Sequence, residues 1–382
     1  MNKLEQVAET VGLICLTSNA VVNKFTSKAF AQLLGVIEHL QISGHIQTIN
    51  IKLPANARAF YRVLLRVSAL DVVETDPVYE AVLQLEETEA FTPNFEDMGY
   101  ESMYSLKNMG LVYIFAIMCP ISLLFGFIAS KLPLKYGPLI YEKIFNFYVW
   151  SATVGFLNGS YLLLAVCAAV NTKHWKYDDY GSLANDFFVL QCVFMTIVLP
   201  FFVFVAYWRW LRDHEYDESS VSGYDGDSES GEREVSMLRK YWDQFVGTYL
   251  ESFGLKPELL WFSGIILARK LLLCVTCVYL QYYDNFSLFS FVFCSVAMII
   301  ATGLLMPYDD NFLNFVHIFN ECFVLIQIYH LFTFTDLVID VQTRHYLGYS
   351  AIFFQCINLI FNFSLVAIAT CKDAYSCLLK KW

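Results

Sequence analysis

Charged residues are scarce in this chain. Asp, Glu, Lys and Arg make up 16% of its 382 residues, whereas 57% are apolar or aromatic. An average soluble domain carries about 25% charged residues, so the composition disfavours a soluble protein of this length. The apolar residues also fall in long blocks, which is typical of chains that cross a bilayer. The composition therefore indicates an integral membrane protein.

Basic residues and catalytic motifs are scarce as well. The 25 Lys and Arg residues are outnumbered by 36 Asp and Glu residues, which gives a formal net charge of −11. Nucleic-acid binding needs a clustered basic surface, so the balance excludes nucleic acid as a partner. The chain also lacks HExxH, GxSxG, a Walker loop and a helix-opening GxGxxG. We therefore expect no enzyme activity, no catalytic residues, no cofactor and no metal site.

Seven apolar stretches are long enough to cross the hydrocarbon core as helices, which takes about 20 residues. Helices satisfy their own backbone hydrogen bonds there. The fold predicted is an all-α membrane protein, a polytopic helical bundle of seven strong transmembrane helices plus one or two weaker N-terminal helices. The strong stretches are 108–130, 144–170, 186–208, 258–281, 286–306, 312–336 and 347–371.

The weaker N-terminal candidates are residues 7–25 and 29–50. The second contains Glu38, His39 and His45, which makes it too polar to face lipid. If it crosses the membrane, we expect it to do so against other helices rather than against lipid.

The basic residues of the connecting loops predict the orientation. Loop 131–143, loop 209–257 and the tail after residue 371 carry three, six and three Lys and Arg residues, and the number of intervening spans places them on one side. Basic loops are retained in the cytoplasm. The C-terminus is therefore predicted to be cytoplasmic, and residues 51–106 to be exofacial.

The orientation and composition together divide the chain into six parts. They are 1–50 (N-terminal helices, with membrane embedding left open), 51–106 (exofacial acidic segment), 107–211 (transmembrane helices 1–3), 212–257 (disordered acidic cytoplasmic loop and interfacial amphipathic helix), 258–371 (transmembrane helices 4–7) and 372–382 (cytoplasmic tail).

The segments outside the membrane have distinct patterns. Residues 213–234 are rich in Ser, Gly and acids, which predicts disorder, and residues 235–253 read as an interfacial amphipathic helix. Pro54 is predicted to open a helix over 55–70. Residues 71–101 contain ten acids and no Lys or Arg. They would either concentrate cations near a pore mouth or form a solvated linker.

Two bases interrupt the fourth apolar stretch near its centre, Arg269 and Lys270. Each base at a helix centre costs about 2.5–3.5 kcal/mol on insertion scales, so both should face the interior of the bundle and find partners. The sixth stretch supplies polar residues at helical spacing, which places most of them on one face. They are Asp310, Asn314, His317 and Glu321, with Asn320 and Gln327 on the flank and His330 on the other side.

Two interpretations of these polar residues stay open. An ion pair between Arg269 and Glu321 could lock the helices in register, as hydrogen-bonding residues do in membranes. The same residues could instead form an ion or proton path, or a charge pair whose rupture gates one. A single pair would suffice for a lock, and the excess of polar groups favours function.

Several short motifs between residues 29 and 371 carry a family resemblance. They are LLGVIEHLQISGHIQTINIKLPANARAFYRVL, DVVETDP, NFEDMGYES, SLKNMG, LARKLLL, NFVHIFNE and IYHLFTFTD. In this order they resemble the multi-pass C-terminal module of large ciliate surface proteins, which is distantly similar to the TRP-like and polycystin-like channel family. The resemblance implies a plasma or ciliary membrane rather than an organelle. It also implies characteristic membrane residues at Arg269, Asn320, Glu321, His330 and Asp336.

The resemblance has one departure. Those proteins carry a long cysteine-rich or repeat ectodomain before the module, whereas Met1 stands almost at its start. A ligand-sensing role that belongs to that ectodomain is therefore not carried over.

The function predicted is a TRP-like cation channel or channel subunit, by analogy with the family. The partners expected are the lipid bilayer, cations, and a second copy of the chain or another membrane subunit. The alternative is a non-conducting multi-pass membrane scaffold or sensor subunit. A proton-coupled transporter ranks third, because paired helices broken by Gly or Pro are missing.

Overall fold

The computed structural model describes residues 27–69, 76–85, 88–131, 153–175, 177–221 and 255–381, together with isolated positions between 141 and 148 and between 246 and 250. Within these ranges the chain forms helices and no β-strand, which confirms the all-α fold. The predicted helix at 7–25 lies outside the described residues, as does almost all of the amphipathic helix at 235–253.

Eleven α-helices are numbered here in chain order within the described ranges. They are α1 Ser27–His45, α2 Ala55–Ala69, α3 Asp76–Leu83, α4 Pro93–Asp97, α5 Gly110–Lys131, α6 Thr153–Asn171, α7 Tyr180–Val221, α8 Trp261–Tyr279, α9 Asp284–Leu305, α10 Asn311–Phe334 and α11 Val341–Lys381.

Five of the described helices contain segments long and apolar enough to cross a membrane, and they correspond to the last five predicted stretches. For the first two predicted stretches, the described residues give only the shorter apolar segments Cys119–Ile128 of α5 and Gly155–Asn171 of α6. Seven strong spans are therefore not confirmed. The five segments are Tyr180–Arg209, Trp261–Tyr279, Asp284–Leu305, Asn311–Phe334 and Val341–Lys372.

Helix α7 is longer than its apolar span and continues to Val221. The disorder predicted from residue 213 onward is therefore wrong for 213–221, and residues 222–234 lie outside the described part of the chain. Several residues at this end of α7, among them Leu211, Arg212 and Glu215, have good intrinsic helix propensity, so the helix can extend beyond its apolar segment.

Helix α1 packs against α2, α6, α10 and α11 rather than standing at the edge of the bundle. From Val36 onward its residues are mostly buried, including the polar His39, Gln41 and His45. Burial against protein satisfies polar groups that lipid could not. Most of the segment 29–50 therefore lies against other helices, while its crossing of the bilayer stays a prediction.

Residues 46–69, 76–85 and 88–109 form a folded unit, called the cap below. Its helix α2 matches the helix predicted at 55–70 to within one residue. The cap buries Tyr61, Phe95 and Tyr104, and Tyr100 Oη lies 2.6 Å from His45 Nε2 at the end of α1. The described part of the acidic segment is thus folded and is not a linker.

Arginines of α2 neutralise part of the acidic charge in the cap. Arg58 pairs with Asp97 at 2.9 Å, and Glu101 lies 3.4 Å from Arg62 and 3.3 Å from Arg66. The three arginines recur every four residues, so they share one face of the helix. The sequence had shown this arginine face but not that it meets the acids.

The loops alternate between two ends of the bundle. At the cap end, Ser105 N donates to Asn171 Oδ1 (3.1 Å) and Asn56 Nδ2 donates to His345 O (2.9 Å). At the other end, Lys256 N donates to Pro307 O (2.9 Å), just before α8 begins and after α9 ends. This alternation agrees with the order of spans used to predict the orientation.

Gly181, in the first turn of α7, allows the cap to approach that helix closely. A Cβ there would lie 2.1 Å from the backbone oxygen of Leu83. Gly181→Ala is expected to force α3 and α7 apart and to lower the free energy of unfolding by about 1–3 kcal/mol. Thermal unfolding in detergent measures the loss. As the control, Gly303→Ala on α9 adds a Cβ 4.0 Å from its nearest neighbour. An equal loss at both positions would contradict the prediction.

Candidate functional site

The two bases of α8 are both buried and have different partners. Arg269 pairs with Glu321 on α10, and Lys270 Nζ lies 3.3 Å from Glu38 Oε1 on α1. Consecutive residues of a helix point about 100° apart, so one helix can present its two charges to two neighbours. The result is two buried ion pairs that join three helices.

The first ion pair is the one predicted from the sequence. Arg269 Nη1 donates to Glu321 Oε1, and Arg269 Nη2 also approaches Ser295 Oγ at 3.4 Å. Glu321 is only 4% exposed. Removing one member of such a buried pair strands a charge in a low-dielectric interior, so each partner depends on the other.

The second ion pair was not predicted from the sequence. Besides Glu38, Lys270 Nζ donates to the backbone oxygen of Asn158 on α6 at 3.3 Å. In the sequence, Glu38 indicated only that residues 29–50 could not face lipid. A carboxylate on a buried helix is itself a signal that a base lies nearby, but the sequence leaves open which helices are neighbours.

A cavity of about 80 Å³ lies between α1, α10 and α11. Both carboxylates of the ion pairs line it. Glu321 Oε2 has no hydrogen-bond partner among the described residues, so this carboxylate uses one oxygen for Arg269 and keeps the other free. The other polar residues of the lining are Gln32, His39, Tyr308, His317, Asn320 and Asn362.

Two histidines and a tyrosine complete the polar lining. His39 Nε2 lies 3.4 Å from Ser43 Oγ, and His317 Nδ1 lies 3.3 Å from Thr302 Oγ1. Tyr308 stands in the loop between α9 and α10. Burial, reinforced by the carboxylates Glu38 and Glu321, raises the pKa of its hydroxyl well above the usual value, so the group stays neutral.

Asparagines connect α10 to α11 beside the cavity. Asn320 Oδ1 accepts from Asn358 Nδ2 at 2.8 Å and from Asn362 Nδ2 at 2.7 Å. Asn358 and Asn362 were missed from the sequence, although two asparagines four residues apart inside an apolar helix are a usable signal. Gln327, further along α10, donates to Ala351 O at 3.1 Å and accepts from Tyr61 of the cap.

Besides Gln327, three predicted site residues lie apart from the cavity. Asn314 holds the α9–α10 loop through two bonds with the Tyr308 backbone, at 3.1 and 3.0 Å. His330 Nε2 lies 3.1 Å from Ser350 Oγ on α11, and Asp336 is exposed in the turn after α10, 3.9 Å from Arg344. The structure thus brings together Arg269, Lys270, His317, Asn320 and Glu321, with Gln327 beyond them.

The arrangement provides charge and hydrogen-bonding groups without a metal site. Among the described residues no group of three or more His, Cys, Asp or Glu is placed to hold a metal ion. Two cations and two carboxylates balance one another, so the centre is neutral overall. The free oxygen of Glu321 and the surrounding amides can bind water, a proton or a small cation.

No protein-family model, no curated protein and no solved structure matches this chain. The resemblance to the ciliate surface-protein module and the TRP-like family therefore stays a prediction.

Proposed function

We propose that this protein is a cation channel or channel subunit of the TRP-like kind, with the cavity on its ion path. The observation that carries the proposal is the free oxygen of Glu321. A buried carboxylate with an unused oxygen, on a residue that lines a cavity inside a membrane bundle, offers a binding site to a cation.

The two ion pairs supply a coupling mechanism for this function. Glu38 and Glu321 belong to α1 and α10, and both are held by one turn of α8. A displacement of α8 would weaken both pairs together and expose both carboxylates to the cavity. The local charge would then become attractive to cations, because neither carboxylate would have its base in contact.

The proposed orientation places the end opposite the cap, and the tail 372–382, in the cytoplasm. Its support is the concentration of Lys and Arg in the loops of that end. The cap would then be exofacial, at the plasma or ciliary membrane. A complete pore would need a second copy of the chain or another membrane subunit.

The function is tested by ion flux through liposomes that contain only the purified chain. We expect the wild-type chain to dissipate a potassium or sodium gradient faster than protein-free liposomes do. Glu321→Gln should change that flux several-fold when equal amounts of folded protein are reconstituted, because the amide keeps the shape of the side chain and removes its charge.

The matched control is Glu96→Gln, which removes an exposed carboxylate from the cap and should leave the flux unchanged. The proposal fails if wild-type liposomes conduct no better than empty ones. It also fails if the two variants have the same effect.

A non-conducting scaffold or sensor subunit is the second candidate. It is supported by the one-to-one pairing of the two bases with two carboxylates, which is sufficient to hold α1, α8 and α10 in register. This candidate predicts no ion flux from the purified chain and co-purification of a membrane partner.

A further inference from the structure

Helix α11 carries a polar face in the middle of its apolar span. Gln355, Asn358 and Asn362 are all buried, with at most 2% exposure. Their spacings of three and four residues place them on one side of the helix. That side faces α10, since Asn358 and Asn362 both bond Asn320, and Gln327 reaches the backbone of Ala351.

This polar face connects the charged cavity with the cap. At one end Asn320 and Asn362 line the charged cavity. At the other end Gln327 accepts a hydrogen bond from Tyr61 of the cap. The distance along α11 from Asn362 to Ala351 is about 16 Å at 1.5 Å per residue, roughly half the thickness of the hydrocarbon core.

Gln355 lies within this interval and has unused hydrogen-bonding groups. It is fully buried, and neither Oε1 nor Nε2 has a partner among the described residues. Buried amides without a partner are costly, and in native proteins ordered water commonly satisfies them. Gln355 stands about one turn from Asn358, on the face of α11 that leads to the cavity.

We propose that the α10–α11 interface binds a file of water molecules that runs from the charged cavity, past Gln355, to the hydroxyl of Tyr61. The cavity has room for several waters, because one water needs about 10–15 Å³ of such volume and about 80 Å³ is present. The lining amides are neutral and both carboxylates of the cavity are paired with bases, which favours water over a bound cation in this state.

Tyr61 closes the cap end of the file. Burial raises the pKa of its hydroxyl far above the ordinary value, so the group stays protonated and donates to Gln327 Oε1. Tyr61 belongs to α2, whose arginines are tied to the acids of the cap. Movement of the cap would therefore open or close this end. The role of the file in ion passage rests on the proposed function, whereas its hydration does not.

Hydroxyl-radical footprinting of the full chain in lipid nanodiscs tests the hydration. Radicals generated from water by an X-ray pulse oxidise tyrosine only where water lies beside the ring, and peptide mass spectrometry locates the product. Tyr161 is the matched control. It is as buried as Tyr61, and its hydroxyl donates to Thr196 O at 2.6 Å within an apolar cluster. We expect Tyr61 to be oxidised several-fold faster than Tyr161.

The variant Gln355→Leu should interrupt the file. The rate at Tyr61 should then fall toward that of Tyr161, and the thermal midpoint should stay the same or fall, because hydrogen bonds to water are lost. Equal rates at the two tyrosines in the wild-type chain would overturn the inference. A rise in the thermal midpoint of Gln355→Leu would also overturn the inference. It would mean that the interface is dry and that the substitution removes two unsatisfied atoms.

Footprinting and ion flux can fail independently. If the chain conducts ions but Tyr61 is not oxidised quickly, the proposed function stands and the hydrated path is rejected. If Tyr61 is oxidised quickly but the chain conducts no ions, the hydrated path stands and the channel is rejected.

Discussion

Arg269→Met is expected to lower the free energy of unfolding by about 3–5 kcal/mol, the range for breaking a buried ion pair. The physical reason is the charge left behind, because Glu321 is buried and its Oε1 would lose its counter-ion. Methionine keeps much of the volume and flexibility of the arginine stem, so a cavity contributes little to the loss. Denaturant unfolding of the purified chain in detergent micelles measures it.

A second substitution identifies the partner of Arg269. Adding Glu321→Gln to Arg269→Met removes the stranded charge and should recover most of the stability. Adding Glu38→Gln should recover none, because Glu38 pairs with Lys270. Equal recovery by both substitutions would show that the four charges interact as one cluster and do not form two separate pairs.

Lys270→Met is expected to cost somewhat less, near the lower end of the same range, about 3 kcal/mol. The stranded carboxylate in this case is Glu38, whose side chain is 16% exposed compared with 6% for Glu321. Partial exposure lets water stabilise the remaining charge. The same unfolding measurement in micelles compares the two variants directly.

The recovery pattern should be the reverse of that for Arg269. Glu38→Gln should restore the Lys270→Met variant, and Glu321→Gln should not. A larger loss for Lys270→Met than for Arg269→Met would contradict the ranking by burial. Together the two crossed experiments test whether α8 holds α1 and α10 through separate contacts, as the coupling proposed for the channel requires.

The ion pair Arg269–Glu321 was predictable from the sequence because each half carries a local signal. A base in the centre of an apolar stretch needs a partner, and Glu321 lies on a helix whose polar residues recur at helical spacing. Glu38 carries the same kind of signal but lies in a segment too polar to be recognised as a span. The pairing of Lys270 therefore appeared only when α1 was found inside the bundle.

In the cap, the helix α2 was predictable from nearby residues, whereas its ion pairs were not. The bounds of α2 followed from Pro54 and from the alternation of apolar and basic residues. The acidic residues after it suggested a solvated segment, because their charge is high and no base lies among them. Asp97 and Glu101 are instead paired with arginines of α2. These partners lie too far apart in the sequence for a local pattern to predict the pairing.

By itself the sequence determined the helical fold, the membrane character and the presence of buried charges, because these depend on length, hydropathy and helical period. Tertiary structure alone decided which charges meet, which carboxylate keeps a free oxygen, and which faces of α10 and α11 enclose Gln355. These features depend on the order in which helices pack, and apolar side chains attract one another without specifying a partner.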